Sequence, residues 1–292
     1  MVRPVPGSRS FIFASMQKSV VRKIRKWIRI ILVVYIACGI TLYFIQERFL
    51  FHPQKLSEDY VFHFTTPYKE INLPLNNETN LSIVQFTVPD SICKGVVLYF
   101  HGNRQNIEHY APFVSNFTKN NYEVWMMDYP GFGKSTGERT ESVFYEDALQ
   151  LYKMARARFA KDSIVIYGKS IGTGVAAQLA SVRDCKRLIL ETPYYSIDAL
   201  FRHYAFIYPV SWMCKFHFPV YQYMEKVDAP ITLFHGTRDE VIPFGQSGWL
   251  MNLPKNVFRS GRELVVIKNG KHNNLDDFPL FHEKLDSVLQ LP

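Results

Sequence analysis

Ile164-Val165-Ile166-Tyr167-Gly168-Lys169-Ser170-Ile171-Gly172 is the stretch whose reading decides the fold. Its first four residues are apolar and mostly β-branched, the pattern of a strand buried on both faces. G-x-S-x-G follows at Gly168, Ser170 and Gly172, and the Ala- and Gly-rich run after it reads as a helix. A serine on a tight turn between a strand and a helix projects its hydroxyl into a cleft, and small residues beside it let strand and helix approach closely. The helix N-terminus adds amide donors and positive potential where an oxyanion would form. The five-residue string alone arises by chance; the strand before it and the helix after it give it weight.

Working outward, similar runs predict strands at Leu81–Val88, Val96–Phe100, Val124–Asp128, Leu188–Leu190, Ile231–Phe234 and Leu264–Ile267. Helices are expected at Ile107–Lys119, Ser142–Ala160, Ile171–Ser181 and Phe278–Leu289, the second with Val143, Phe144, Ala148, Leu151 and Met154–Ala155 on one face. The alternation implies an α/β fold, a mostly parallel sheet with helices on both sides, plus an antiparallel hairpin at Tyr68–Val88. Function in such sheets sits at the carboxyl ends of strands.

Two strand ends supply partners for Ser170. His235-Gly236-Thr237-Arg238-Asp239-Glu240-Val241-Ile242-Pro243 follows one strand, and Lys268-Asn269-Gly270-Lys271-His272-Asn273 follows the next. Ser170, Asp239 and His272 thus come in the chain order of a nucleophile, an orienting acid and a base on this kind of sheet. Glu240 and His282 are the fallback acid and base, and His282 sits mid-helix. His101-Gly102-Asn103 ends another strand, so the backbone N–H groups of Asn103 and Ile171 are the expected oxyanion donors, with His101 bracing the loop.

From about Tyr60 to Leu291 the chain resembles the α/β-hydrolase-fold serine hydrolases, most of all the membrane-anchored, short-lidded α/β-hydrolase-domain proteins. The matching strings are His101-Gly102-Asn103, Asp128-Tyr129-Pro130-Gly131-Phe132-Gly133-Lys134-Ser135, Gly168 to Gly172, His235 to Pro243 and Gly270-Lys271-His272. The resemblance implies Ser170 as nucleophile, His272 as base, Asp239 as orienting acid, and ester or thioester substrates. It departs after His101-Gly102-Asn103, where Arg104, Gln105 and Asn106 stand in place of small residues; Arg104 is either a surface side chain or a contact for an anionic head group.

Other chemistries fail on spacing. Gly131-Phe132-Gly133-Lys134-Ser135 ends like a phosphate-binding loop, but the first glycine of that motif would fall at Asp128. A dinucleotide fingerprint needs glycine where Thr136 stands. The histidines are scattered singly, so no metal and no cofactor is expected. Aspartate nucleophiles of dehalogenase and epoxide-hydrolase type are excluded by Ser170 itself.

The chain has 292 residues, 47% hydrophobic and 21% charged, which excludes a disordered protein. Its net charge of +8 comes from one place. Residues 1–29 hold eight of the 34 Lys+Arg and no Asp or Glu, so the rest balances the chain's 26 acidic residues. The body has no positive excess with which to bind nucleic acid. Ile30 to Gln46 then runs without a charge. The expectation is a basic cytosolic tail at 1–29, a transmembrane anchor at 30–50 with Trp27, Tyr43 and Phe44 where interfacial aromatics belong, and a hydrolase domain at 51–292 on the extracytoplasmic side. A cleaved signal peptide is the alternative, against which stand the long basic region and the lack of a small-x-small site. Met16 as the start would leave the anchor intact.

Cys38, Cys93, Cys185 and Cys214 form no C-x-x-C pair, and Cys185 is expected as a buried free thiol. Sequons stand at Asn77 and Asn116. A lid is expected at about 193–229, where Tyr194 to Tyr223 holds eleven aromatics in 30 residues against a chain average of 15%. Such rings form an acyl-binding wall, lean on a membrane, or pin the lid to the core.

The expected partners are therefore an ester or acyl-containing small molecule or lipid, and the membrane through the N-terminal helix. The expected function is a membrane-anchored serine hydrolase of carboxylic esters or thioesters. The alternatives are a non-enzymatic membrane-bound binding module on the same fold, or a serine peptidase.

Overall fold

Apolar side chains at every position of a strand require cover on both of its faces, and the sheet is built to provide it. The computed structural model describes residues 8–254 and 261–291. Eight strands form one sheet: β1 (Tyr68–Pro74), β2 (Asn80–Phe86), β3 (Gly95–Phe100), β4 (Tyr122–Met127), β5 (Ile164–Lys169), β6 (Arg187–Glu191), β7 (Ile231–Gly236) and β8 (Arg262–Ile267). Their spatial order is β1-β2-β4-β3-β5-β6-β7-β8. β2 runs antiparallel to β1 and to β4, and the remaining pairs are parallel.

Alternation along the central strands divides the core in two. Val96, Leu98, Phe100, Ile164 and Ile166 face α4 (Glu141–Arg156) and α5 (Gly172–Val182), packing with Phe144, Leu151, Val175 and Leu179. Val97, Tyr99, Val165 and Tyr167 face the other way, joining Phe281, Leu285 and Val288 of α10 (Pro279–Gln290). Each such side chain fully removed from water contributes about 1.5–3 kcal/mol.

The chain divides into two compact units at Glu47/Arg48. The first consists of α1, which runs unbroken from Ser8 to Leu50 across the divide. Within it, Val20–Leu50 is long and apolar enough to cross a membrane. The basic segment expected as a tail at 1–29 and the span expected at 30–50 lie on this one helix over the described residues; residues 1–7 lie outside them. Lys and Arg are good helix formers, so a basic cluster does not stop a helix.

In the second unit, the helix expected over Ile107–Lys119 is three short pieces: α2 (Ile107–Tyr110), a 3₁₀ turn (Ala111–Val114) and α3 (Ser115–Thr118). Pro112 has no N–H to donate and interrupts the ladder. The segment between β6 and β7 carries α6 (Ile197–Tyr204), α7 (Val210–Met213) and α8 (Val220–Met224), and α9 (Gly245–Met251) follows β7. Its aromatics divide: Tyr194, Phe216 and Phe218 are buried in the core, whereas Tyr204, Phe206 and Trp212 are exposed. All four cysteines are free thiols.

Candidate active site

The turn after β5 is shaped by three residues. Ser170 holds φ 53°, in the left-handed region, while its N–H donates to Glu191 O at 2.9 Å. A Cβ added at Gly172 would collide with the carbonyls of Phe100 and His101, and one at Gly168 would lie 2.5 Å from Gly172 O. The first turn of α5 is thereby pressed against the end of β3. Ile171 caps α5 with no side-chain partner, which leaves the helix N-terminus open toward Ser170.

β7 and β8 lie side by side, with Gly236 opposite Ile267, so their following loops meet. Arg238 N–H donates to Gly270 O (2.9 Å), Thr237 N–H to Ile267 O (3.0 Å) and Asn269 N–H to Thr237 Oγ1 (2.9 Å). These bonds hold Asp239 and His272 in one frame. His272 Nδ1 stands 2.8 Å from Asp239 Oδ2, and His272 Nε2 stands 2.9 Å from Ser170 Oγ. The structure therefore brings Ser170, Asp239 and His272 together.

Burial by itself would raise the Asp239 carboxyl. Hydrogen bonds from His235 and His272, the nearby His272 and the Ile242 amide outweigh it and hold the group well below the usual carboxylate range. An ionised carboxylate only accepts, so His272 carries its proton on Nδ1 and offers the Nε2 lone pair to the Ser170 hydroxyl. Val241 N–H (2.8 Å) and Ile242 N–H (2.7 Å) donate to Asp239 Oδ1. His235 was not singled out as a site residue from sequence. Its Nε2 faces both Ile242 O (3.0 Å) and Asp239 Oδ2 (3.2 Å), so it is the protonated nitrogen, and Nδ1 accepts from the Ser247 hydroxyl at 2.6 Å.

The remaining expected residues fall as follows. Neither the Asn103 nor the Ile171 N–H donates to a protein acceptor among the described residues, and the Asn103 side chain donates to Leu50 O at 2.9 Å. His101 is fully buried, with Nε2 3.4 Å from Asp128 Oδ1 and its ring stacked on Tyr110. Glu240 accepts the His272 N–H at 3.4 Å, and His282 Nε2 donates to Asp276 O at 2.6 Å. Arg104 is exposed.

Behind the turn, both oxygens of buried Glu191 are occupied: Lys169 donates to one and Tyr167 to the other. A buried carboxylate is tolerated when so paired. No linear spacing marks that pairing, because Lys169 and Glu191 end neighbouring strands and meet only through the sheet register.

Residues 91–224 match the protein family described as Serine aminopeptidase, S33. The chain is 30% identical over 197 residues to Alpha/beta hydrolase domain-containing protein 17C of Xenopus tropicalis, an alignment covering 66% of this chain and 61% of that protein. It is 29% identical over 199 residues to Alpha/beta hydrolase domain-containing protein aho-3 of Caenorhabditis elegans, covering 67% and 57%. The chain thus spans about three-fifths of the length of the curated relatives it matches. Among solved structures, the Pyrococcus furiosus esterase Pf2001 superposes with a TM-score of 0.62 at 20% identity, covering 82% of this chain and 96% of that one. Est1E of Butyrivibrio proteoclasticus, with ferulic acid bound, gives 0.60 at 17%, covering 75% and 97%. At these identities the structural likeness speaks to fold alone. Strand order, the strand–turn–helix around Ser170 and these similarities agree: the chain has the α/β-hydrolase fold.

Proposed function

We propose that the protein is a membrane-anchored serine hydrolase of carboxylic esters or thioesters with lipid-like acyl groups. The observation that carries this reading is the unbroken relay from Ser170 Oγ through His272 to Asp239, at 2.9 and 2.8 Å. Ser170 Oγ attacks the acyl carbonyl as His272 Nε2 takes its proton, and the Asn103 and Ile171 amides hold the oxyanion. Collapse of the tetrahedral adduct breaks the bond to the leaving alcohol or thiol, which receives the proton from His272. Water, deprotonated by the same nitrogen, then attacks the acyl-serine and restores the hydroxyl as the acid departs. Asp239 keeps the imidazole tautomer correct and stabilises the imidazolium. Val20–Leu50 serves as the anchor, with the basic N-terminal side in the cytosol and the hydrolase body on the opposite side. A second reading, cleavage of an amide, is favoured by the Serine aminopeptidase, S33 match.

A fluorophosphonate probe tests the chemistry. The full chain should be labelled, Ser170→Ala should not, and hydrolysis of p-nitrophenyl esters should fall about 10⁴-fold or more in that variant. Equal labelling of Ser170→Ala refutes the reading. A series of acyl-chain lengths run beside aminoacyl p-nitroanilides separates lipid-like esters from short esters and from amides.

A further inference from the structure

The two most exposed large apolar side chains described in this protein are Trp212 and Phe206, at 87% and 78%. Neither belongs to α1; both sit on the lid, with Tyr204 beside them at 61%. A globular body gains nothing from holding a tryptophan and a phenylalanine in water, and such clusters mark interaction surfaces. The segment that carries them is itself one-sided in charge. Between Asp198 and Glu225 the chain has no carboxylate, while Arg202 and Lys215 stand among the aromatics.

The location of this patch follows from Phe51. That residue comes directly after the last residue of the candidate span, and it is buried against Phe144 and against Phe216 of the lid, ring centroids 5.5 and 4.9 Å apart. Phe216 is four residues from Trp212, a contour of at most about 14 Å. The lid is therefore tied to the point where the chain would leave a bilayer. At its other end, the Tyr204 hydroxyl donates to Val241 O at 3.1 Å, and the Val241 N–H is one of the donors on Asp239. Along the chain, Phe206 and Trp212 fall between Tyr204, which meets the loop of the candidate acid, and Phe216, which meets Phe51.

We infer that the lid segment around Phe206 and Trp212 docks into the interfacial layer of the membrane the chain is anchored in, and that this layer, rather than a second protein, is its occupant. Tryptophan and phenylalanine flanked by cations are the chemistry that anionic lipid surfaces retain, with the rings about 5–10 Å into the head-group boundary. Docking there brings Tyr204, and through Val241 the loop of Asp239, up to the lipid acyl chains, so an ester reaches Ser170 from the bilayer without crossing bulk water. The inference rests on the anchor and the ester chemistry proposed above, and its test separates them.

The full chain is reconstituted in phosphatidylcholine–phosphatidylserine vesicles whose acyl chains carry bromine near the head group. The Trp212 contribution, taken as the difference between the unaltered protein and Trp212→Phe, should be quenched. This readout needs no catalysis: an inactive protein with quenched Trp212 ends the hydrolase reading and keeps the docking. In the active protein, Phe206→Ser/Trp212→Ser should lower turnover of a long-chain ester held in vesicles about tenfold or more and leave a soluble short ester unchanged. Unquenched Trp212, equal loss on both substrates, or a dimer that the double substitution dissolves would each overturn the inference, the last by assigning the patch to a second copy.

Discussion

Ser170 occupies a backbone conformation that costs a non-glycine residue on the order of 1–3 kcal/mol, and the surrounding contacts over-determine it. Its N–H is held by Glu191 O, its carbonyl accepts from Thr173 N–H at 2.9 Å and Thr173 Oγ1 at 2.6 Å, and Gly172 has no room for a side chain. A second residue is less well served. Asp147 lies on the buried face of α4 beside Phe144, Ala148 and Leu151, and its Oδ1 has no hydrogen-bond partner among the described residues. Burial, with a smaller push from Glu146, raises its carboxyl from the ordinary range to about 7. Between that value and the unfolded value near ~4 the folded chain keeps a proton that the unfolded chain has released. Stability is therefore complete below the unfolded value and falls as pH rises through the window, by at most about 1.4 kcal/mol per unit. Melting curves from pH 5 to 8 should show this fall, and Asp147→Asn should flatten it and melt higher at pH 8. Parallel pH profiles for the two proteins would contradict the assignment.

At the scale of elements, one carboxylate gathers several hydrogen bonds around the lid. Glu141, the first residue of α4, accepts the N–H of His217 (2.6 Å) and of Phe218 (3.2 Å) and the Tyr145 hydroxyl (2.6 Å). Tyr145 in turn meets the Tyr223 hydroxyl at 2.9 Å. Removing such an acceptor typically costs ~1–3 kcal/mol. In Glu141→Ala the amides of His217 and Phe218 should exchange with solvent faster while those of β5 keep their protection, as followed by hydrogen exchange. Unchanged exchange at both amides would show that other contacts hold the lid. None of this was visible in the linear chain. Strands such as β3 and β5 were, because double-sided burial leaves apolar residues at nearly every position. Ser170, Asp239 and His272 were also readable as candidates, since each follows a strand. Glu141 and His235 were not: a first-turn glutamate and a buried histidine look ordinary until folding brings 217 and 239 to them. The aromatics of 194–223 read as one bias, and only packing divides those that pin from those that project.

For the whole molecule, the distribution of charge places all positive excess ahead of the body, which is the support for the orientation proposed above. Counting Asn80-Leu81-Ser82 beside those at Asn77 and Asn116, three sequons provide a test, and the structure makes them unequal. Asn77 is exposed in the turn between β1 and β2, whereas Asn116 is buried in α3 and Asn80 is half-buried in β2, its side-chain amide donating to Asn72 Oδ1 and Lys134 O at 3.3 Å. Expressed in a eukaryotic host with the body in the secretory lumen, the protein should carry one glycan removable by glycosidase, lost in Asn77→Gln and kept in Asn80→Gln and Asn116→Gln. A chain with no glycan would put the body on the cytosolic side instead.

The free thiols bear on how the body reaches its fold. Burial pushes Cys185 and Cys214 up to about 12, so almost no thiolate is present to start exchange with an oxidant. The body's cohesion comes from its two apolar layers, which form alike in reducing and oxidising surroundings. A body held this way completes its fold with Cys185 and Cys214 still as thiols.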